Sequence, residues 1–435
     1  MEKFLNRHID NAPLVVFRII FGALLFLESI GAIFTGWVER NLINKNFTFT
    51  FIGFEFLQPL PGQGMIYYYV LMGLAGLCVM IGYRYRVAII SFFVLWSATY
   101  LMQKSSYNNH YYLTALLSFL MIFLPAHCGT SFDAKRNPAL ASNTVPYWTS
   151  LVLMAQITLV YFFAGIAKLY PDWLEATPVK QFLASKFDFP LLGSLFSRDW
   201  FAYGLSYAGI LFDLFIIPLF LYKKTRNLAL ILALVFHLFN SIVFQIGIFP
   251  FLSLAFAVFF YPPKTIRKRF LPKQKSVPTT ASNSNMPTPL KLLLTSYFII
   301  QLLLPIRHWF IAGDVLWTEE GHRLSWRMML RSRAGYHHFY IVDKQGGERQ
   351  RVDLTKYLSK TQIRSVQSKP DMIWQFAQHL KKEYAAKGKD IQVFVKGKVR
   401  VNGGTLYPFI DENVDLAAEK WHVFKHEKWI LPPGD

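Results

Sequence analysis

The sequence predicts a polytopic α-helical membrane bundle of about nine spans, followed by a soluble α+β extracytoplasmic domain. The first observation is that 53% of the 435 residues are hydrophobic. The second is that apolar runs near twenty residues recur along residues 1–307, and a helix needs about twenty residues to cross a bilayer core of about 30 Å. The third is a change near residue 308, where alternating and amphipathic patterns replace the apolar runs.

Nine apolar runs are interpreted as spans. The first follows a short basic start and has no small-residue cleavage site after it, so it is read as a span and not as a cleaved signal. The predicted spans are residues 14–36, 65–82, 87–102, 111–126, 149–168, 205–222, 228–245, 247–262 and 290–307. Together they define a predicted membrane domain that covers residues 1–307.

Lysine and arginine residues orient the bundle. If the N-terminus lies inside, four further joins are inside, and they are rich in basic residues: 83–86, 133–136, 223–226 and 264–275. Such a bias marks the cytoplasmic side of a membrane. Because the basic residues lie mostly beside apolar runs, the net charge of +20 indicates anionic lipid headgroups and argues against nucleic acid as a partner. After nine spans the soluble domain lies outside.

Residues 264–289 are predicted to form a linker on the inner side, and residues 308–435 the soluble domain. From residue 273 the linker is rich in Ser, Thr, Pro and Asn, which is typical of a flexible spacer. In the soluble domain, strand-like runs surround two glycine turns, and an amphipathic helix lies between these runs. The two strand-like regions and the helix are residues 337–354, 391–410 and 370–388.

Three sets of polar residues fall at one predicted membrane depth, on the side of the soluble domain. Asn109 and His110 begin the fourth span, and Lys168 ends the fifth. His237 and Asn240 lie in the outer half of the seventh span, three residues apart and so on one helix face. Ionisable groups inside spans are costly and usually face a cavity or the bundle interior. The sets therefore form a candidate site.

Each set also has a structural interpretation. Lys168 could be an end anchor whose charge reaches back to water. His110 could be an interfacial hydrogen-bonding residue, and His237 with Asn240 could bond two helices together. Asp213, within an apolar run, could pair with a buried polar group and is left unassigned.

The apolar stretch YFFAGIAKLYPDWL gives Lys168 a chemical interpretation. Loss of solvation at an apolar helix end disfavours an ammonium ion and favours a neutral amine, which can accept a proton. A lipid-soluble acid such as a quinol would reach this amine from the bilayer. Pro171 is expected to end the helix just beyond it.

The two cysteines, Cys78 and Cys128, have no metal-ligand spacing, so no metal is expected.

At these residues the sequence resembles the vitamin K-dependent gamma-carboxylase family, in the form of a bacterial-type homologue with an HTTM membrane domain. The match runs in order over nearly the whole chain, and an ordered set of this kind is specific. It is carried by FRIIFGALLF (17–26), LQPLP (57–61), MIGYRYR (80–86), KSSYNNHYYL (104–113), VYFFAGIAKLYPDWLE (160–175), FHLFNS (236–241), HRLSWRMMLRSR (322–333) and VRVNGGTLYPFIDENVDLAA (399–418).

The resemblance implies a peptidyl-glutamate carboxylase, a carbon–carbon lyase, that also forms the epoxide of vitamin K. In such enzymes a lysine amine deprotonates vitamin K hydroquinone, which reacts with dioxygen. The strongly basic species formed removes a γ-proton from a glutamate side chain, which then adds carbon dioxide. The implied co-substrates are reduced vitamin K (phylloquinol or menaquinol), dioxygen and carbon dioxide. The implied partners are membrane lipids, the lipid-soluble quinol and a Glu-containing peptide or protein.

The resemblance also assigns site residues. The implied base is Lys168, assisted by His110 beside Asn109. The residues implied to hold the quinol ring are Tyr161, Phe162, His237 and Asn240. Those implied to border the substrate glutamate are Trp326, Met328 and Met329.

Departures from the family pattern leave two alternatives open. Ala167 stands where many members have a first lysine, so Lys168 is the single candidate base. Nothing indicates a propeptide-binding site, so the first alternative is a quinol epoxidase or oxidase without peptide carboxylation. The second is a non-enzymatic membrane protein that binds lipid or ions. Without the extension and signal of the animal enzymes, we expect a bacterial inner-membrane protein with a cytoplasmic N-terminus and a periplasmic C-terminal domain, or the endoplasmic reticulum in a eukaryote.

Overall fold

The computed structural model describes residues 2–272 and 285–434. Residues 273–284, a part of the predicted linker, lie outside the described residues. The chain divides into two compact units. The first unit contains Met1–Asn44, Thr50–Phe162 and Leu211–Ile299, and the second contains Lys45–Phe49, Phe163–Ile210 and Ile300–Asp435.

Long apolar helices joined by short ones make up the N-terminal part of the chain. In chain order the helices are α1 (Glu2–Asn6), α2 (Ala12–Phe34), α3 (Gly64–Ile81), α4 (Tyr85–Met102), α5 (Asn109–Phe123), α6 (Phe132–Arg136), α7 (Trp148–Ile166), α8 (Pro171–Leu174), α9 (Thr177–Ala184), α10 (Gly193–Phe196), α11 (Asp199–Leu221), α12 (Arg226–Phe239), α13 (Phe249–Ala255), α14 (Pro263–Phe270) and α15 (Thr288–Ile306). Among the described residues, seven helices are long and apolar enough to cross a membrane, or eight if one bent pair counts as a span. The prediction of a helical membrane bundle is confirmed.

One predicted span is a short helix. Residues 111–126 correspond to α5, which has only 15 residues. The helix stops because Pro125 disfavours the helical conformation for the residue before it, and Leu124 is extended. At about 1.5 Å per residue α5 extends about 22 Å, less than the thickness of a bilayer core.

Another predicted span is a broken helix, and the start of the predicted linker is helical. Residues 247–262 form α13 and a 3-10 turn, after which the chain bends by 119° into α14. Pro262 and Pro263 at this bend lack the amide hydrogen that a continuous helix needs. Arg267 of α14 donates to Asp10 at 2.6 Å. This bond holds α14 beside the antiparallel strands β1 (His8–Asp10) and β2 (Thr144–Pro146).

The second unit contains a four-stranded antiparallel sheet in the order β4-β3-β5-β6. Its strands are β3 (Arg333–Asp343), β4 (Gln350–Arg351), β5 (Ile391–Val401) and β6 (Tyr407–Pro408). In β5 the side chains of Ile391, Val393, Val395 and Val399 are buried, and most residues between them point outward. This alternation is typical of a sheet that covers a core with one face.

Helix α18 (Pro370–Ala386) supplies the other side of this core, and α16 (Val315–Thr318) and α17 (Lys360–Val366) complete the domain. Proline at the first position of α18 costs no hydrogen bond. The helix ends before Gly388, whose φ of +74° is the left-handed conformation that stops helices. Phe376 and Leu380 of α18 are fully buried in one cluster with Phe339 and Val393 of the sheet. The predicted strands and amphipathic helix are confirmed.

Two segments from the N-terminal part of the chain belong to the second unit. Lys45–Phe49 contributes Phe49, which is fully buried in the domain core. Gln362 of α17 donates to the backbone carbonyl of Phe47 at 2.6 Å. The second segment is Phe163–Ile210. The sequence pattern assigned both to the membrane domain, and the boundaries 1–307 and 308–435 stay predictions.

A buried histidine of β3 makes the stability of this domain depend on pH. The His337 side chain is 1% exposed, and burial, partly offset by a hydrogen bond to Gln367, lowers its pKa to about 4. Below pH about 6.5 His337 is therefore protonated in the unfolded chain, whereas in the folded chain it stays neutral down to pH about 4. We expect the free energy of unfolding to fall with this one group by about 1.4 kcal/mol per pH unit between pH 6.5 and 4.

His337→Gln removes this contribution, so the dependence of unfolding on pH should become shallower by that amount. Chemical unfolding of the full chain in detergent at pH 7, 6 and 5 measures it. His338→Gln is the comparison, because its partly exposed side chain lies on the opposite face of the same strand. Slight burial and Arg351 lower the pKa of His338 in the same direction, so His338→Gln should also flatten the slope, but less than His337→Gln does. Equal slopes for the wild type and His337→Gln would contradict the prediction.

Candidate functional site

Lys168 lies in the second unit, just beyond the end of α7. The helix stops at Ile166, and the backbone N–H groups of Lys168 and Leu169 close a tight last turn on Gly165 and Ile166, at 3.1 and 3.0 Å. The expectation that Pro171 ends this helix is wrong. Pro171 instead begins α8, where its missing amide hydrogen costs nothing.

The side chain of Lys168 is buried. It is 7% exposed, and its Nζ donates to the carbonyl of Ala164 at 3.1 Å. The same nitrogen lies 5.5 Å from the centroid of the Trp173 ring, and the Trp173 indole donates to the carbonyl of Ser206 at 3.1 Å. An end anchor keeps its ammonium in water. The burial therefore supports the chemical interpretation of Lys168.

The turn after Lys168 is hydrogen-bonded to the loop that contains the sequence SWRMM (residues 325–329), which is called the SWRMM loop below. The Tyr170 hydroxyl donates to the carbonyl of Leu330. The Asn402 side chain donates to Asp172 at 2.8 Å. Within the second unit, the segment of the predicted base and the segment of the predicted substrate residues thus lie together.

The three predicted substrate residues, Trp326, Met328 and Met329, differ in exposure. Trp326 is fully buried, Met328 is partly buried, and Met329 is 38% exposed. Leu324, Trp326 and Met329 have φ values of +61°, +57° and +51°. This left-handed conformation is unfavourable for residues other than glycine, and such strain clusters at ligand sites. Met329 offers a ligand the most surface of the three.

A cluster of buried charges beside this loop was not singled out from the sequence. Glu319 accepts from Nε of Arg331 at 2.6 Å, and another nitrogen of that guanidinium bonds the second carboxylate oxygen. Nη1 of Arg333 lies 3.8 Å from the same carboxylate. Burial opposes the ionisation of Glu319, but Arg331, His322 and Arg333 outweigh it and hold the pKa of Glu319 well below its usual range. Burial lowers the pKa of Arg327 to about 10.

Tyr161 and His237 meet in the first unit. The Tyr161 hydroxyl and Nε2 of His237 are 2.8 Å apart, and both side chains are buried, at 5% and 1% exposure. Phe212 and Phe236 stack at 3.8 Å, and the imidazole stands nearly perpendicular to both rings. Nδ1 of His237 is buried, and no side chain or backbone group of the described residues bonds it.

Asn109 and His110 occupy the first turn of α5. The helix begins there because Asn108 accepts the backbone N–H of Tyr111 at 2.7 Å. Asn109 accepts from the Tyr107 hydroxyl at 2.9 Å. The ring of His110 lies against Gly247, two residues before α13 begins. The contact is so close that a Cβ built on this glycine would be 3.1 Å from Nε2 of His110.

If His110 has the catalytic role that the resemblance implies, Gly247→Ala should lower turnover. The added methyl crowds the His110 ring, and displacement of a catalytic group reduces turnover by about tenfold or more. Turnover of a reduced naphthoquinone by the purified variant measures the effect. The matched control is Gly62→Ala, because Gly62 has φ +58° against +55° for Gly247 but no atom within 4 Å of the added Cβ. Equal turnover of the two variants would contradict a role for His110.

The remaining predicted residues differ in environment. Asn240 follows α12 and begins a π-helical turn of 5 residues, a feature frequent at functional sites. Its backbone N–H bonds the carbonyl of His237. Phe162 is 48% exposed, unlike the adjacent Tyr161. Lys168 belongs to the second unit, and its convergence with the polar residues of the first unit stays a prediction.

Potential metal ligands are scattered. Within residues 2–272 and 285–434, no three or more His, Cys, Asp and Glu side chains are grouped so that they could hold a metal ion. Cys78 and Cys128 are both free thiols.

A bundle of apolar helices joined to an α+β domain, with a buried lysine beyond the end of one helix, defines an integral membrane protein with an extramembrane domain. Two family models match the chain. The HTTM domain matches residues 6–264, and the vitamin K-dependent gamma-carboxylase, lumenal domain, matches residues 287–435. The chain belongs to the vitamin K-dependent gamma-carboxylase family. No solved structure matches it.

Proposed function

We propose that this protein is a membrane glutamyl carboxylase that couples the oxygenation of a vitamin K-type quinol to the carboxylation of glutamate, with Lys168 as the base. The observation that carries the proposal is the burial of the Lys168 amine in a segment bonded to the SWRMM loop. The proposed location is a bacterial inner membrane with the N-terminus cytoplasmic. The positive-inside pattern and the match to a lumenal domain support this orientation.

The side chains around His237 in the first unit have the chemistry that a flat apolar ring with hydroxyl groups requires. The buried Nδ1 of His237 offers a hydrogen-bonding position that the described protein groups leave unused. The rings of Phe212, Phe236 and Phe249 surround this imidazole with centroids 5.4 to 5.9 Å away. Aromatic walls with one or two polar groups are typical of sites for small apolar ligands. Tyr161 and His237 would therefore hold a quinol ring.

Lys168 is proposed to take the first proton. Its Nζ donates to the carbonyl of Ala164, which fixes the position of the amine that would accept this proton. When bound, the quinol together with dioxygen supplies a base strong enough to remove a γ-hydrogen of glutamate, which no ordinary side chain can do. His110 and Asn109 are proposed to hydrogen-bond the anion left after proton transfer, since preorganised donors stabilise developing charge.

The SWRMM loop is proposed to border the substrate glutamate. Met328 and Met329 provide apolar surface. The buried Arg327 between Trp326 and Met328 would add a positive charge beneath this surface, which suits a carboxylate. Trp326 lies beneath the surface and would act by holding the loop in its left-handed turns.

One assay separates this proposal from its alternatives. The full chain in lipid nanodiscs receives menaquinol or phylloquinol, oxygen, labelled carbon dioxide and a Glu-rich peptide. The proposed function predicts quinone epoxide and labelled peptide together. Epoxide without labelled peptide, over a set of Glu-containing peptides and membrane extracts, would indicate an epoxidase that does not carboxylate. No turnover of either quinol would indicate a protein that binds lipid or ions.

A further inference from the structure

A pocket in the first unit is lined by none of the residues assigned to the quinol, and it borders them where the rings of Tyr111 and His110 meet at 4.9 Å. It is formed where α2 and α4 end and where α3 and α5 begin, and its empty volume, open mouth included, is about 390 Å³. Five of its side chains are aromatic and one is a carboxylate. The lining residues are Glu28, Ala32, Trp37, Tyr69, Trp96, Thr99, Tyr100, Gln103, Ser106 and Tyr111.

The aromatic rings that line the pocket are inclined or perpendicular to one another and are not stacked in parallel. Trp37 and Tyr111 meet at 81° with centroids 6.1 Å apart. Trp96 and Tyr111 meet at 82° and 5.0 Å, and Trp37 and Tyr69 are inclined by 44° at 6.2 Å. Rings in several orientations offer a π-face on more than one side of the enclosed space. Such an arrangement suits a rounded cation, because the face of Trp or Tyr attracts positive charge.

Among the described residues that line the pocket, no basic side chain faces the carboxylate of Glu28. It accepts from the Tyr111 hydroxyl at 2.8 Å, and none of the described lining residues is Lys, Arg or His. A carboxylate inside a span is costly unless a charge partner or proton neutralises it. The pocket therefore combines aromatic faces with a negative charge that a ligand can balance.

We propose that this pocket binds an alkylammonium group. The faces of Trp37, Trp96 and Tyr69 surround its alkyl substituents, and Glu28, held in place by Tyr111, balances its charge. Two sources carry this chemistry: the choline or ethanolamine headgroup of a phospholipid and a soluble amine. The site does not depend on the proposed reaction, since it uses none of the residues assigned to that reaction.

Equilibrium binding of radiolabelled tetramethylammonium to the full chain tests the proposal. In nanodiscs of phosphatidylglycerol, which has no amine, we expect saturable binding that the uncharged isostere neopentane does not displace. Glu28→Gln should weaken it at least about tenfold, which corresponds to one interaction of about 1.4 kcal/mol. Glu39→Gln is the control, because Glu39 is an exposed carboxylate of the join after α2 and should bind as the wild type does.

The source of the ammonium is found by adding lipid. If phosphatidylcholine or phosphatidylethanolamine in the nanodisc displaces the probe, the ligand is a lipid headgroup. If neither lipid displaces it and soluble amines do, the ligand is a soluble amine. The proposal is overturned if the probe does not bind, or if Glu28→Gln, folded by its unfolding temperature, binds as tightly as the wild type. Tyr111→Phe keeps the ring and removes the bond to Glu28, so an intermediate affinity is expected.

Discussion

Lys168→Met lowers quinol turnover by about two to four orders of magnitude, the usual contribution of a general base. Methionine keeps an unbranched side chain of similar length, so the buried space stays filled while the amine is lost. The measurement is the initial rate of quinone epoxide formation by the purified full chain in nanodiscs. The unfolding temperature, recorded in parallel, separates loss of chemistry from loss of structure.

Lys168→Arg distinguishes a base from an anchor. A guanidinium keeps the positive charge but stays protonated at any ordinary pH. An anchor would therefore be restored by arginine, and a base would not. Lys180→Met is the matched control, because Lys180 is also in the second unit but is partly exposed and pairs with Asp199 at 3.4 Å. Epoxide formation by Lys168→Arg at the wild-type rate would exclude Lys168 as the base.

Glu319→Gln is expected to be the most destabilising of the single changes in the second unit, at about 3–5 kcal/mol, because it leaves buried positive charge without its partner. Arg331 and Arg333 both face this carboxylate, and the Glu319 side chain is 5% exposed. Denaturant unfolding of the full chain, followed by tryptophan fluorescence, measures the loss. Glu383→Gln is the control, since its pair with Lys387 lies on the surface and such pairs contribute at most about 1 kcal/mol.

A double variant identifies the cause of this loss. Glu319→Gln combined with Arg331→Met removes both partners, so its destabilisation should be smaller than the sum of the single effects. Because the pKa of Glu319 is held well below 4.5, its stabilisation is complete above pH about 4.5 and disappears only as the pH falls further. The effect should therefore be constant from pH 7 to 5, where the contribution of His337 changes. Additive single effects would contradict the pairing.

Much of the architecture is readable in the sequence because it depends on local pattern. Apolar runs near twenty residues predict the long helices, and alternation in β5 predicts its buried face. Two of the predicted spans are not continuous helices of full length, and proline is the cause in both. Pro125 shortens α5, and Pro262 with Pro263 bends the chain before α14. The breaks are visible in the sequence, but hydropathy alone averages over them.

The amino-acid sequence by itself determined the helical bundle, the α+β domain and the family, since each rests on residues close together in the chain or on motifs in order. It also marked Lys168 as a lysine beside an apolar run. The tertiary structure decided which distant groups meet: Tyr161 with His237, Glu319 with Arg331, and Glu28 with aromatic rings from three other parts of the chain. Helical period assigns a residue to a face of its own helix, but the neighbour of that face depends on how the helices pack.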